Sequence, residues 1–153
     1  MIIDFKNLKD LKNKNITFVI GTFDLLHHGH LYFLNKAEEV APNNKLLVGI
    51  ISDKITQKIK GKNRPIILQD QRAEIINALK NVDYVFIAPE LQTREIAKKV
   101  LEIVKPQYSV VTKSVWENRQ KPYDPKNTKL VIIKNEINGI STSNIIKKIT
   151  KGK

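Results

Sequence analysis

Five short runs of consecutive apolar residues punctuate this chain: Ile16 to Ile20, Leu46 to Ile51 within Lys45–Ser52, Tyr84–Ile87, Tyr108–Val111 and Leu130–Ile133. A strand with one wet face alternates apolar and polar residues, so unbroken runs of this length read as strands buried on both faces. Helical spacing lies between them. Leu31, Leu34, Ala37 and Val40 make one apolar stripe along Leu31 to Ala41. Asp70–Lys80 carries Ile75, Ile76 and Leu79, and Thr93–Val104 carries Ile96, Val100, Ile103 and Val104. A short leading helix is expected over residues 4–12, with Phe5, Leu8 and Leu11 on one side, and a closing helix from about Thr142. Pro42-Asn43-Asn44 reads as a turn. Residues 53–64 read as polar and basic, and 115–128 as a long irregular stretch containing Pro122, Tyr123, Asp124 and Pro125.

Buried strands alternating with helices predict an α/β fold: a single doubly wound, Rossmann-like domain with a mostly parallel five-stranded sheet. The domain is expected to span 1–153, with 1–15 as an N-terminal extension. A chain of 153 residues with 41% hydrophobic content supports one sizeable core. In such sheets ligands bind outside the carboxyl ends of the strands.

Gly21-Thr22-Phe23-Asp24-Leu25-Leu26-His27-His28-Gly29-His30 follows the first strand and opens the first helix. Residues spaced as His27 and His30 share a helix face. A helix start offers free N–H groups and partial positive charge, and a glycine lets backbone approach closely. The combination suits a phosphate group. Ile140-Ser141-Thr142-Ser143-Asn144 offers three hydroxyls at another helix start, with Ser141 as N-cap and Ile140 and Ile145 as a hydrophobic staple. Taken alone, that is an ordinary capped helix. Lys58-Ile59-Lys60-Gly61-Lys62-Asn63-Arg64-Pro65 is either a flexible basic loop that closes on triphosphate or a solvated lysine-rich one. Arg72, near a helix start, reads by itself as a surface helix residue.

The first segment resembles G-T-F-D-x-x-H-x-G-H, the signature of the cytidylyltransferase-like nucleotidyltransferases. That family includes glycerol-3-phosphate, choline-phosphate and ethanolamine-phosphate cytidylyltransferases and the adenylyltransferase domain of ADP-heptose synthase. Gly139-Ile140-Ser141-Thr142-Ser143 resembles its second signature, I-S-T-[ST], and Asn81-Val82-Asp83-Tyr84-Val85 resembles its V-D-x-V. The resemblance runs from about 16 to 149 and is patchy between 88 and 138. It implies attack by an acceptor phosphate on the α-phosphorus of a nucleoside triphosphate, with pyrophosphate leaving. His27, His30 and Lys60 are the implied catalytic groups. Gly21, Thr22, Phe23, Asp24, Gly29, Lys62, Arg72, Ile140, Ser141, Thr142 and Ser143 are the implied nucleotide-binding set. Mg²⁺ is expected to bind mainly through the nucleotide phosphates, with no metal site built from side chains. A homodimer is the expected assembly.

Two departures bear on the substrates. Gln71 stands where the family usually has Glu, and Val111-Thr112-Lys113-Ser114-Val115-Trp116 replaces a short acidic motif. Lost carboxylates and a nearby Lys113 disfavour a cationic acceptor such as phosphocholine. Lys113 and Trp116 become the acceptor-binding residues, with Asn118, Arg119 and Gln120 as nearby donors. Trp116 can equally anchor the long loop. The acceptor is expected to be a phosphorylated polyol, sugar or alcohol, with glycerol 3-phosphate the simplest.

Thr22 and Ile140-Ser141-Thr142-Ser143 resemble the CTP-using branch, so the first reading is a cytidylyltransferase that makes a CDP-activated product. Arg64-Pro65 to Val85 and Ser143 to Ile149 resemble the ADP-heptose branch, so the alternative is a sugar-phosphate adenylyltransferase using ATP. A non-catalytic nucleotide-binding module is the third reading; retention of both histidines argues against it.

The net charge of +12 is spread over lysines without an arginine-rich block, which supports a polyphosphate ligand more than nucleic acid. Absence of cysteine excludes disulfides, thiolate metal sites and a cysteine nucleophile. No apolar run has signal-peptide or membrane-spanning character, so a cytoplasmic protein without a membrane partner is expected.

Overall fold

The computed structural model describes residues 1–12, 14–117, 127–134, 137 and 139–151. β1 (Ile16–Gly21) is followed by α1 (His28–Glu39), and β2 (Lys45–Ile50) by α2 (Asp53–Lys60) and α3 (Gln69–Asn77). β3 (Tyr84–Ile87) is followed by α4 (Thr93–Ile103), β4 (Tyr108–Thr112) by α5 (Lys113–Glu117), and β5 (Lys129–Ile133) by α6 (Thr142–Lys151). The strands form one five-stranded sheet in the order β3-β2-β1-β4-β5, and every pairing is parallel. Ile16 lies opposite Lys45 and Gly21 opposite Ile50, so β1 and β2 end level with each other.

The unbroken apolar runs are explained by helices on both faces. Leu46, Val48 and Ile50 meet Leu34 and Ala37 of α1 and Ala73 and Ile76 of α3. Leu47 points the other way and joins Phe18, Phe86, Ile96 and Val100. Burying a side chain of this size contributes about 1.5–3 kcal/mol. Gly49 is required where Phe86 crosses β2, because a Cβ there would come within 2.7 Å of the ring.

Residues 1–15, expected as an extension, are built into the domain as far as they are described. Ile2 bridges to Val85, and the Ile3 N–H donates to Val85 O at 2.8 Å, which lengthens the β3 edge. Phe5–Leu11 is a 3-10 helix whose Leu8 and Leu11 are 0% and 3% exposed. Apolar residues at 5, 8 and 11 line up in a helix of about three residues per turn, which a 3.6-residue period blurs.

Two further segments differ from their sequence reading. The polar stretch from 53 is helix α2, anchored by buried Ile55 and Thr56. Lys58 and Lys60 therefore ride on its last turn and not on a loop; Gly61, at φ 100°, ends the helix before Lys62. The stretch read as irregular from 115 begins inside the short helix α5, which packs on β4 and β5. Pro122 to Pro125 lie outside the described residues.

The chain winds from β1 out to β3 and then returns to place β4 on the other side of β1. This reversal is the topological switch point, and open α/β sheets bind ligands in the crevice outside the carboxyl ends of the strands there, here β1 and β4.

Candidate functional site

The turn after β1 delivers the histidines to that crevice. α1 starts at His28, before its apolar stripe, because the N–H groups of His30 and Leu31 both donate to His27 O at 2.9 and 3.2 Å. His27 is thus the N-cap and His30 lies in the first turn. Their rings stack with centroids 3.8 Å apart, and Phe23 meets His30 edge-on at 5.4 Å. Gly29 makes the stack possible: a Cβ there would sit 3.0 Å from the His27 ring. His28 points to solvent.

The turn is strained and firmly held. Phe23 and Leu25 adopt φ of 52° and 47°, left-handed values that cost about 1–3 kcal/mol each for such side chains. Gly21 leaves room for the Phe23 ring, which would lie 2.9 Å from an added Cβ. Asp24 is buried, and its side chain is 0% exposed. Its carboxylate accepts from Arg64 Nε at 2.7 Å and from the N–H groups of Ile66 and Ile67 at about 3.0 Å. Burial pushes the Asp24 carboxyl up, but the Ile67, Ile66 and Arg64 bonds outweigh it and hold it below the ordinary carboxylate value.

The two ends of the sequence meet here. Thr142 is buried, and its hydroxyl donates to Asp24 O at 2.7 Å. A Cβ on Gly29 would sit 3.5 Å from Ile140 O. Ser141 caps α6 by accepting from Asn144 N–H at 3.2 Å, which leaves its own proton free to donate. Ser143 is exposed. Of the three hydroxyls expected to face phosphate, Thr142 has instead spent its proton inside the protein.

Arg72 also turns inward. It is 1% exposed, with Nε on Ile67 O, Nη1 on Thr22 O, and Nη2 on Ile51 O and Asp53 Oδ1. The expected nucleotide ligand and the alternative surface residue are both replaced by a buried cation with protein partners. Lys60 and Lys62 are exposed. Lys113 is exposed and pairs with Glu117 at 3.5 Å, while Trp116 is half-buried at the carboxyl end of β4. Asn118, Arg119 and Gln120 lie outside the described residues.

Arg64, Asp53 and Gln69 were missed as site-building residues. The signal was present: in a chain whose basic residues are nearly all lysine, arginine marks places that need a planar, multidentate donor.

Burial pushes both imidazoles toward the neutral form. Burial lowers the His27 value below 6.5. Burial first, then the His27 charge, lower His30 from 6.5 to about 4 against the opposing pull of Asp24. The Nδ1 atoms of both rings are buried without a hydrogen-bond partner among the described residues. An unsatisfied buried group of this kind costs about 1–3 kcal/mol. An anion beside these rings would draw protons onto them.

A pH dependence of stability follows from His30. Between pH 6.5 and about 4 the unfolded chain binds a proton that the folded site refuses. Stability is therefore complete above 6.5 and declines as pH falls through that window. Urea unfolding between pH 7 and 5 is expected to show the decline, and His30→Ala is expected to flatten it.

No group of three or more His, Cys, Asp or Glu among the described residues is placed to hold a metal. The buried Asp24 is occupied by Arg64 and two amides, and Asp53 by Arg72. No helix among the described residues is long and apolar enough to cross a membrane.

A family model described as Cytidylyltransferase-like matches residues 18–148. The chain is 36% identical over 149 residues to a protein named Bifunctional protein HldE from Helicobacter hepaticus (strain ATCC 51449 / 3B1), covering 97% of this chain and 29% of the relative. A Bifunctional protein HldE from Shigella flexneri is 30% identical over 149 residues, covering 93% and 29%. The chain thus spans under a third of the length of these relatives. Among solved structures, the lipopolysaccharide core biosynthesis protein from Thermoplasma volcanium GSS1 superposes with a TM-score of 0.60 at 22% identity, over 78% of this chain and 96% of that one. Pantoate-beta-alanine ligase from Francisella tularensis gives 0.62 at 20% identity, over 97% and 72%. These structural likenesses concern the fold.

Proposed function

Since the chain belongs to the cytidylyltransferase-like family, we propose that it is a nucleotidyltransferase that joins AMP from ATP to a sugar phosphate of the ADP-heptose type. The observation that carries nucleotidyl transfer is the stacked His27–His30 pair at the carboxyl end of β1, tied to the 140–143 segment through Thr142 and Asp24. Two imidazoles and a helix start converge there with a second helix start capped by Ser141. The acceptor phosphate oxygen attacks the α-phosphorus, the bond to the β-phosphate oxygen breaks, and pyrophosphate departs. The attacking oxygen is already anionic, so alignment and neutralisation of charge supply the catalysis. His27 and His30 donate to phosphate oxygens as negative charge builds up. Ser141, Ser143 and the α1 and α6 N–H groups hold the remaining phosphates, with Lys60 and Lys62 approaching from the end of α2. Asp24 and Asp53 are taken up by Arg64 and Arg72, so Mg²⁺ would be held mainly by the triphosphate oxygens, where it would supply neutralisation of their charge.

The choice of ATP rests on relatives. Thr22 and the 140–143 signature favour CTP. The chain-long similarity to proteins named Bifunctional protein HldE favours the alternative, the ADP-heptose-type adenylyltransferase. The 64–85 stretch, which holds Arg64, Gln69 and Arg72, resembles the same branch. Lys113 at the end of β4 suits an anionic or hydroxylated acceptor.

Pyrophosphate release with each of the four triphosphates against phosphorylated sugars, glycerol 3-phosphate and phosphocholine tests this. ATP with a sugar phosphate is expected to give the highest kcat/KM. A preference for CTP with glycerol 3-phosphate would restore the cytidylyltransferase reading.

A further inference from the structure

Arg72 is the most deeply buried cation among the described residues, and it does not face the crevice. Its guanidinium collects groups from three separate segments. Thr22 O belongs to the strained turn that carries the histidines. Ile51 O and Asp53 Oδ1, at 2.9 and 2.6 Å, belong to the junction from which α2 and Lys60 set out. Ile67 O, at 2.9 Å, belongs to the segment whose N–H groups hold Asp24. Gln69 adds a second grip from the same turn of α3, where its Oε1 accepts from Asp53 N–H at 2.9 Å.

Isolated burial of a guanidinium is costly, and retaining it requires nearly all its donors to be satisfied. Lysine cannot replace it, because a single ammonium cannot span carbonyls on three segments in one plane. The strain at Phe23 and Leu25 persists only while surrounding bonds over-determine the turn. Thr22 O stands at the entry of that turn, and the Asp24 carboxylate lies in its middle. Arg72 fixes the first directly and the second through Ile67.

We propose that Arg72, with Asp53 as its counter-ion, is a positioning residue that sets the histidine turn and the root of α2 in one fixed relation without touching the nucleotide. This rests on the proposed nucleotidyl transfer. Its consequence is that loss of Arg72 misplaces reacting groups and leaves phosphate contacts in number unchanged. A misplacement of about 1 Å is enough to lower turnover about a hundredfold.

The test compares Arg72→Lys and Asp53→Asn with the unaltered chain, reading kcat, the KM for ATP, and the His30 imidazole titration by NMR. Asp53→Asn keeps Arg72 and its carbonyl bonds, so it remains informative if Arg72→Lys does not fold. Arg72→Lys is expected to lower kcat about a hundredfold and Asp53→Asn about tenfold, with KM changed less than about threefold. The His30 titration is expected to rise from about 4 toward 6.5 as its pocket loosens between His27 and Asp24. A raised KM with kcat intact would make Arg72 a phosphate ligand and overturn the proposal. An unmoved His30 titration in a folded variant would also overturn it. Absence of turnover in the unaltered chain would instead contradict the reaction, and the His30 titration would still judge the brace.

Discussion

Replacing His27 or His30 by alanine is expected to lower kcat by about a hundredfold to a thousandfold, the scale for losing one donor aimed at developing negative charge. The expectation depends on the local build. The rings stack at 3.8 Å beside a glycine that leaves room for them, and both Nδ1 atoms lack a hydrogen-bond partner among the described residues. Neither side chain supplies the main packing of α1, which comes from Leu34 and Ala37. The variants should therefore fold, and the loss should fall on kcat. His28→Ala is the control, because His28 is exposed and points away. Steady-state kinetics with circular dichroism on all three variants makes the comparison. Near-normal turnover in folded His27→Ala and His30→Ala would remove the histidines from the chemistry.

Asp24→Ala is expected to destabilise the protein by about 3–5 kcal/mol, the range for breaking a buried charged pair by removing one partner. The substitution strands Arg64, whose side chain is 12% exposed, and leaves the Ile66 and Ile67 N–H groups without their acceptor. It also frees the 64–67 segment from the histidine turn, so activity should fall with stability. The sign of the pH effect follows from the depressed Asp24 value. Its stabilisation is complete above the unfolded value of about 4 and is lost as pH falls through the lower folded value. Urea titrations at neutral pH and near pH 3 separate the two proteins: the difference should be large at neutral pH and shrink in acid. An equal loss at both would place the cost in packing and not in the ion pair.

The strands were the most legible part of the fold. Burial on both faces leaves an unbroken apolar run, and all five runs became strands within about a residue or two. The parallel pairing followed from the same fact. Helix α2 was hidden because its buried face is only Ile55 and Thr56, in a polar segment that reads like a loop. The 3-10 helix at Phe5–Leu11 was seen as helix, but its part in the core was not, since three apolar residues do not reveal what they pack against.

In the site, the residue types were legible and their directions were not. His27, Gly29, His30 and Ser141 take positions at helix starts that their spacing announces. Asp24, Arg72 and Thr142 look equally like ligands in sequence, yet each spends its polar groups inside the protein, mostly on backbone. That outcome depends on carbonyls and amides, such as Thr22 O and Ile67 N–H, which every residue carries and no sequence pattern marks.

The histidine crevice is proposed to join AMP to a sugar phosphate. Phosphorus NMR of the chain incubated with ATP, Mg²⁺ and a heptose phosphate tests it most directly. The expected spectrum shows a new diphosphate diester growing in step with free pyrophosphate, and both signals grow about a hundredfold or more slowly with His30→Ala. Formation of ADP with inorganic phosphate, or of AMP with pyrophosphate but no diester, would contradict it.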